Sequence, residues 1–246
     1  MAGHSKWANI KHRKGAQDAK RGKIFTKLIR EITVAAKMGG GEIASNPRLR
    51  IAVDKALTAN MTRDTIDRAI KRGAGGLDGA NMEEIRYEGY GISGVAVMVD
   101  CLTDNKKRTV SDVRHAFSKY GGNLGTDGSV SYLFTQQGQI ILDSVTNEDV
   151  LIETALEAGA EDMSQTKSGE HVIICAPSEF ETLIHTLKTQ GFHPLHAEIT
   201  QIPSTSTVVE NEAAETLLKM IDVLEDLDDV QNVYTNADFP EENTDE

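Results

Sequence analysis

The sequence predicts an α+β, multidomain protein: an N-terminal three-helix bundle followed by two α/β domains of ferredoxin-like type, one inserted in the other. Apolar residues recur at helical spacing as far as residue 72 and at alternate positions after residue 82. Residues 139–202 read strand, helix, strand, strand, helix, strand, which is the ferredoxin-like order. The charge also changes sign: residues 1–75 hold 17 basic and 6 acidic residues, a net +11, whereas the remainder holds 9 basic and 32 acidic residues, a net −23.

The N-terminal segment divides into a flexible basic arm, residues 1–21, and a helical bundle, residues 22–80. The arm is polar and has no apolar periodicity. In the bundle, three apolar stripes at helical spacing each end at a glycine or follow a capping residue. Asn46 before Pro47 predicts the start of the second helix, and Thr62 predicts the start of the third. The Gly-rich residues 73–81 then form a linker, where the charge changes sign.

Two α/β domains follow. Residues 82–135 and 204–237 are expected to form one discontinuous domain, into which residues 139–202 are inserted as the ferredoxin-like domain. SVSYLF, residues 129–134, is interpreted as a strand that the following QQG turns into the next strand. Thr109-x-x-Asp112 resembles a capping box that opens a helix. The last residues, 238–246, are acidic and predict a disordered tail.

Basic residues concentrated near the N-terminus predict a nucleic-acid interface. Lysine and arginine side chains neutralise phosphates, and a local charge of +11 in an otherwise acidic chain is more than a solvated surface requires. Trp7 could stack on a base or pack against the bundle. Lys20, Lys23, Lys27 and Arg30 recur at three- to four-residue spacing, which predicts that they share one helix face opposite or flanking the apolar stripe. The candidate contact residues lie in the arm and the first helix: Lys6, Trp7, Lys11, Arg13, Lys14, Lys20, Arg21, Lys23, Lys27 and Arg30.

A second candidate site is the glycine-rich segment after the next predicted helix. It has more glycine than a connection between two elements needs. A helix C-cap followed by turns explains most of the pattern, and a binding loop that offers backbone N–H groups is the functional alternative. The residues of this possible binding loop are Gly121, Gly122, Asn123, Gly125, Thr126 and Asp127.

Other chemistry has little support in the sequence. Gly89 to Gly94 match G-x-G-x-x-G, but an alternating β-branched strand follows where a dinucleotide site needs a helix. There is no phosphate-binding Walker loop, no nucleophile elbow and no Cys-x-x-Cys motif, and His193 and His196 have no obvious third metal ligand. We therefore expect no catalytic residues, no metal and no cofactor. No apolar stretch has the length of a membrane span, so no membrane partner is expected.

Several long blocks of the sequence resemble the YebC family, which also contains the mitochondrial translational activator of cytochrome oxidase subunit I. The blocks are AGHSKWANIKHRKGAQDAKRGKIFTKLIREI, NPRLRIAVDKALTANMTRDTIDRAIKRG, YEGYG, RTVSDVRHAFSKYGGNLGTDGSVSYLF and ALEAGAEDM. The resemblance implies three domains, one helical and two α/β, and a cytoplasmic location. Bacterial members of this family are described as DNA-binding transcriptional regulators and others as translation factors. The resemblance implies no catalytic residues in this chain.

We therefore predict a non-enzymatic nucleic-acid-binding regulator of gene expression. The target is either DNA, as for a transcriptional regulator, or ribosomal or transfer RNA, as for a ribosome-associated translation factor. The bundle has no clear recognition helix that is rich in Asn, Gln and Arg at its N-terminus, which weakens the case for sequence-specific DNA readout and favours contacts to the phosphate backbone. The acidic α/β domains would contact protein partners or repel phosphates. A remote alternative is an enzyme with its site in an interdomain cleft near residues 121–129.

Overall fold

A computed structural model describes residues 21–75, 82–145, 147–166 and 168–239 of the chain. These residues form two compact units. One contains residues 21–130 and 211–234, so the helical bundle and the first sheet belong together, and the other contains residues 131–210 and 235–239. Within the described ranges, no helix is both long enough and apolar enough to cross a membrane. The predicted arm, most of the predicted linker and nearly all of the acidic tail lie outside the described residues.

Three helices make up the bundle: α1 (Arg21–Gly39), α2 (Pro47–Thr58) and α3 (Arg63–Ala74). Both predicted caps are confirmed, because the Asn46 side chain accepts a hydrogen bond from the Leu49 N–H and the Thr62 side chain accepts one from the Thr65 N–H. The faces that meet are apolar and buried. They consist of Ile32, Ala35, Ala36, Leu49, Ala52, Val53, Ala56, Met61, Ile66 and Ala69.

The first sheet contains β1 (Glu83–Tyr90), β2 (Ala96–Thr103), β3 (Asn123–Leu124) and β9 (Val230–Thr235), in the order β3-β1-β2-β9. Strands β1 and β2 are antiparallel. Helices α4 (Lys106–Lys119) and α7 (Asn211–Asp226) accompany this sheet. Strand β2 is buried along nearly its whole length, and Val113 and Phe117 of α4 and Leu217 and Leu224 of α7 are buried as well.

The second sheet contains β4 (Phe134–Leu142), β5 (Ala160–Gln165), β6 (His171–Cys175) and β7 (His196–Pro203). With helices α5 (Glu148–Glu157) and α6 (Phe180–Thr189), these strands follow one another as β-α-β-β-α-β, and their order in the sheet is β5-β6-β4-β7. This is the ferredoxin-like arrangement, and the predicted α+β multidomain class is confirmed. The short strands β8 (Thr207–Val208) and β10 (Ala237–Asp238) pair in parallel and form a separate two-stranded sheet.

Two local predictions are wrong. Residues 129–133 are not in a strand, since Ser131–Leu133 form a turn of 3₁₀ helix. Strand β4 begins at Phe134 and continues through QQG, where a turn was expected. Gly138 fits inside β4 because a Cβ there would lie 2.6 Å from Cys175 Sγ. The capping box is also wrong, since α4 begins at Lys106 with Asn105 as its N-cap.

The contact between α1 and α3 generates a stability prediction. A Cβ on Gly73 would lie 2.2 Å from the Thr33 carbonyl oxygen and 2.9 Å from Ala36 Cβ. We expect Gly73→Ala to lower the free energy of unfolding by about 1–3 kcal/mol, because the two helices must separate to admit the methyl group. The measurement is urea unfolding of the full chain followed by circular dichroism.

Gly22→Ala is the matched control, because nothing lies within 4 Å of a Cβ at that helical position. Alanine has the higher helix propensity, so this variant should keep or slightly raise the stability. Equal stability of the two variants would contradict the packing described for α1 and α3.

Candidate nucleic-acid interface

The structure places only part of the predicted basic surface. Lys6, Trp7, Lys11, Arg13, Lys14 and Lys20 lie outside the described residues, and Arg21 is the first residue of α1. Lys23, Lys27 and Arg30 lie in the first half of α1. The amphipathic pattern that predicted one basic face on this helix is thus present, but the structure also shows what that face contacts.

Both lysines of this face reach the C-terminal end of α7. Lys23 Nζ donates a hydrogen bond to the Asp226 carbonyl at 3.1 Å and lies 3.6 Å from the Asp226 carboxylate. Lys27 Nζ donates to the Glu225 carbonyl at 2.6 Å. Burial lowers the pKa of Lys27, and the neighbouring carboxylates of Glu225 and Asp226 oppose that shift. The two lysines therefore cap carbonyl groups that the end of a helix leaves without intrahelical partners.

The charge of α7 explains why these cations are needed. Its last turn has no basic residue, although the C-terminal end of a helix carries a partial negative charge. The residues around that end, Glu225–Asp229, are themselves mostly acidic, and we call them the α7 acidic turn. Carboxylates at a helix C-terminus are destabilising unless cations offset them. The basic face of α1 supplies those cations.

Arg30 continues the same contact into a buried cluster. Its Nη1 donates to the Asp228 carbonyl at 2.5 Å and to Asp229 Oδ1 at 2.9 Å. Arg108 Nη2, from α4, donates to Asp229 Oδ2 at 2.7 Å. The Asp229 side chain is only 7% exposed, so both guanidinium groups meet a carboxylate that water hardly reaches.

Two threonine hydroxyls complete the surroundings of Asp229. Thr109 Oγ1 donates to Oδ2 at 2.8 Å and Thr103 Oγ1 donates to the same oxygen at 3.2 Å. Burial raises the pKa of the Asp229 carboxyl, but hydrogen bonds from Arg108, Thr109 and Arg30 outweigh burial and hold that pKa below its ordinary value. The carboxylate form is therefore the stable one in the folded protein.

A cleft of about 630 Å³ lies over this cluster. Its wall carries both cations and carboxylates: Lys23, Arg30, Arg108, Asp104, Asp112 and Asp226. Each of the three cations already contacts an acidic side chain. Asp228 and Asp229 also line the cleft, so its carboxylates outnumber its cations and it does not offer an open positive surface for phosphate.

The predicted binding loop has a detailed structural role at its near end. Strand β3, which includes Asn123, pairs with Gly89 and Tyr90 of β1. A Cβ on Gly89 would lie 2.5 Å from the Asn123 carbonyl, and Gly121 follows α4 with φ +74°. Both glycines are therefore required by the backbone.

The far end of this loop is held by a buried carboxylate. Glu88 accepts hydrogen bonds from the Gly128 N–H at 3.0 Å and the Val130 N–H at 2.8 Å. The Gly125 N–H donates to the Glu88 carbonyl. Thr126 and Asp127 remain exposed at the tip. Several of the loop's backbone donors are thus used within the protein, and a binding role for the tip stays a prediction.

A second basic surface lies on α3, which contains none of the predicted contact residues. Arg68, Lys71 and Arg72 are exposed and follow one another within five residues, on a helix that buries Ile66 and Ala69. Arg68 is three and four residues from the other two, so the three side chains are neighbours on the helix surface. We call these three residues the α3 basic face. Their spacing is visible in the sequence, but the bases before residue 31 are denser and give the stronger signal.

No metal centre is apparent in the described part of the chain, where no group of three or more His, Cys, Asp or Glu side chains is arranged to hold an ion. Cys101 and Cys175 are buried free thiols. Burial is the main reason that the pKa of Cys101 rises to about 12, so its thiolate is not formed at neutral pH.

Comparison with known proteins identifies the family. The family model described as "TACO1/YebC protein N-terminal domain" matches residues 5–76, and that described as "TACO1/YebC second and third domain" matches residues 82–237. The chain belongs to the TACO1/YebC family. The two matches divide the sequence at the Gly-rich segment where its charge changes sign.

Bacterial relatives of the TACO1/YebC family align over nearly the whole chain. A protein of Alcanivorax borkumensis is 63% identical over 241 residues, covering 98% of both chains, and is named a probable transcriptional regulatory protein. A Coxiella burnetii protein with the same name is 61% identical over 242 residues, covering 98% of this chain and 99% of its own. The crystal structure of a conserved hypothetical protein, Aq1575 from Aquifex aeolicus, matches with a TM-score of 0.81 and 46% identity, over 93% of this chain and 95% of that one.

The Asp229 cluster generates a prediction about stability and its pH dependence. We expect Asp229→Asn to lower the free energy of unfolding by about 2–4 kcal/mol at neutral pH, because it leaves two arginines facing a neutral amide. Since the folded-state pKa of Asp229 is lowered, its stabilisation is complete above the unfolded pKa of about 3.9 and disappears as the pH falls through the folded-state value. The difference between wild type and variant should therefore shrink in acid.

Asp64→Asn is the control, because Asp64 pairs with Arg68 at the surface, where both side chains are mostly exposed. Its effect should stay within about 0.5 kcal/mol. Urea unfolding at a series of pH values measures both variants. A destabilisation by Asp229→Asn that is the same at every pH would show that the carboxylate charge is not what stabilises the cluster.

Proposed function

We propose that this protein is a non-enzymatic, nucleic-acid-binding regulator of gene expression, and that its first target is DNA. The observation that carries the proposal is the charge division: +11 in residues 1–75 against −23 in the rest. Binding of a basic segment to nucleic acid is favourable because it releases condensed counterions, whereas the same phosphates repel acidic domains. The division thus favours binding by one end of the molecule only.

Interactions within the protein narrow the choice of phosphate-binding residues. Lys23, Lys27 and Arg30 serve the α7 acidic turn, so a phosphate would have to displace protein partners to reach them. We therefore assign the main role to the arm, where Trp7 is able to stack on an exposed base or pack against the bundle. The basic residues of the arm to which we assign phosphate binding are Lys6, Lys11, Arg13, Lys14 and Lys20.

A regulatory role agrees with the names of the relatives, which are called probable transcriptional regulatory proteins. In this proposal the acidic α/β domains contact protein partners or limit nonspecific binding by repulsion. The protein acts in the cytoplasm and needs no cofactor.

Ribosomal or transfer RNA is the second candidate target, as expected of a ribosome-associated translation factor. The arm favours RNA in one respect. Its lysine and arginine residues are accompanied by one aromatic residue, Trp7, and aromatic side chains stack well on unpaired nucleobases. Binding led by the phosphate backbone suits structured RNA as well as DNA.

The arm generates the first binding prediction. Replacing Lys11, Arg13 and Lys14 by Gln should weaken binding. The slope of log affinity against log salt concentration should become shallower by about 0.7–0.9 for each phosphate that the variant no longer neutralises. The measurement is fluorescence anisotropy of the full chain at several salt concentrations, on a mixed-sequence DNA duplex and on an RNA hairpin of matched length.

The control is Lys107, Lys119 and Lys188→Gln, which removes the same number of positive charges from exposed positions in the α/β domains. It should bind like the wild type. Stronger binding to the duplex supports the transcriptional role and stronger binding to the hairpin supports the translational one. Failure of the wild-type chain to bind either would refute the proposed function.

A further inference from the structure

The connection between α2 and α3 has the length of the turn in a helix-turn-helix. Helix α2 ends at Thr58, four residues follow, and α3 begins at Arg63. Within the turn, Asn60 has φ +62°, in the left-handed region where asparagine is tolerated better than most residues. Two helices joined by a turn of three to four residues are typical of this motif.

Backbone hydrogen bonds fix the turn. The Met61 N–H donates to the Ala56 carbonyl at 2.9 Å, and the Asn60 N–H donates to the Leu57 carbonyl at 2.9 Å. These are the two bonds of a Schellman motif, which closes the C-terminal end of a helix. Ala56 and Met61 are both buried in the bundle core, together with Ile66 of α3. The turn is therefore held by both its backbone and its side chains, and the orientation of α3 on α2 is fixed.

The exposed side of α3 presents the α3 basic face. Lys71 and Arg72 are exposed, and their side chains make no ion pair or hydrogen bond to any other described residue. Arg68 pairs with Asp64, but these side chains are 70% and 81% exposed, so the pair contributes little and water or phosphate can replace it. These cations differ from those of α1, which are bound to the α7 acidic turn.

We infer that α3 is the helix that enters the major groove of duplex DNA, with Arg68, Lys71 and Arg72 contacting phosphates at its edge. This inference rests on the proposed function and deepens it. In a helix-turn-helix the second helix lies in the groove while the first crosses the backbone. The major groove of B-form DNA admits an α-helix, whereas that of A-form RNA is too deep and narrow, so the arrangement favours DNA.

The distribution of charge along α3 determines the kind of recognition. Its first half carries two acids, Asp64 and Asp67, which Arg63 and Arg68 offset. The second half carries Lys71 and Arg72 without an acid, so the net positive charge of the helix lies there. A carboxylate in the groove can accept a hydrogen bond only from a base amino group, chiefly that of cytosine. The helix therefore binds mainly through the backbone and with modest sequence preference, in agreement with the lack of an Asn- and Gln-rich start.

The test replaces the α3 basic face in the full chain, as Arg68, Lys71 and Arg72→Gln. Glutamine removes the charges and keeps helix propensity. Binding to a mixed-sequence DNA duplex is measured over a range of salt concentrations. We expect the slope of log affinity against log salt to become shallower by about 0.9 for each phosphate that is no longer neutralised, that is, by about 1.8–2.7 for two or three phosphates.

The same control as for the arm, Lys107, Lys119 and Lys188→Gln, removes equal charge and should leave the slope unchanged. A charge-conserving variant, Arg68→Lys with Arg72→Lys, should retain most of the slope. Circular dichroism should report the same helix content for every variant, because all these positions are exposed.

The outcomes separate the inference from the proposed function. If the arm variant no longer binds DNA and the α3 variant keeps the wild-type slope, the inference is wrong while the proposed function stands. If the α3 variant fails to bind the RNA hairpin but still binds the duplex, the assignment to DNA is wrong. If the wild type binds neither, the proposed function itself fails.

Discussion

The carboxylate of Asp229 holds together segments that are far apart in the chain. Arg30 reaches it from α1, Arg108 and Thr109 from the first turn of α4, and Thr103 from the end of β2. Its own backbone carbonyl accepts a hydrogen bond from the N–H of the residue before Thr103 at 2.8 Å. The helical bundle and the first sheet are joined at this point, so the position of α1 depends on a carboxylate 199 residues away.

This dependence changes the meaning of the basic N-terminal region. A count of lysines and arginines treats the region as one surface, but the protein divides it by function. The face of α1 neutralises the α7 acidic turn and stabilises the fold. The α3 basic face is exposed, and we propose that it contacts phosphate together with the basic residues of the arm. The acidity of the C-terminal half is thus partly an internal requirement, because Glu225 to Asp229 supply the partners of α1.

Local patterns predicted most of the fold. The starts of α2 and α3 were readable because Asn46 and Thr62 cap the first free N–H groups of their helices. The ferredoxin-like order followed from alternating and helical periods. The prediction of a turn at QQG was wrong because a glycine within a strand can also be required for close packing. Gly138 lies against Cys175 and Phe180, which are distant in sequence. Such packing leaves no local signal.

The candidate site shows the same limit. Periodicity placed Lys23, Lys27 and Arg30 on one face of a helix, but it could not show that an acidic turn covers that face, since Lys27 and Glu225 are 198 residues apart. Conversely, the spacing of the α3 basic face is visible in the sequence, but only the structure shows that these side chains are exposed on the helix that follows the four-residue turn. Whether a lysine or arginine side chain faces solvent or a carboxylate depends on the tertiary fold.

The central claim is that the basic side chains of α1 stabilise the fold, whereas those of α3 bind DNA. Hydrogen–deuterium exchange of the full chain, with and without a mixed-sequence DNA duplex, tests this claim most directly because it follows both helices in one experiment. The account predicts slower exchange in the α2–α3 region on binding and unchanged protection of α1 and of the α7 acidic turn. Faster exchange in the α7 acidic turn, with no change in α3, would show that DNA displaces the turn from α1 and would contradict the account.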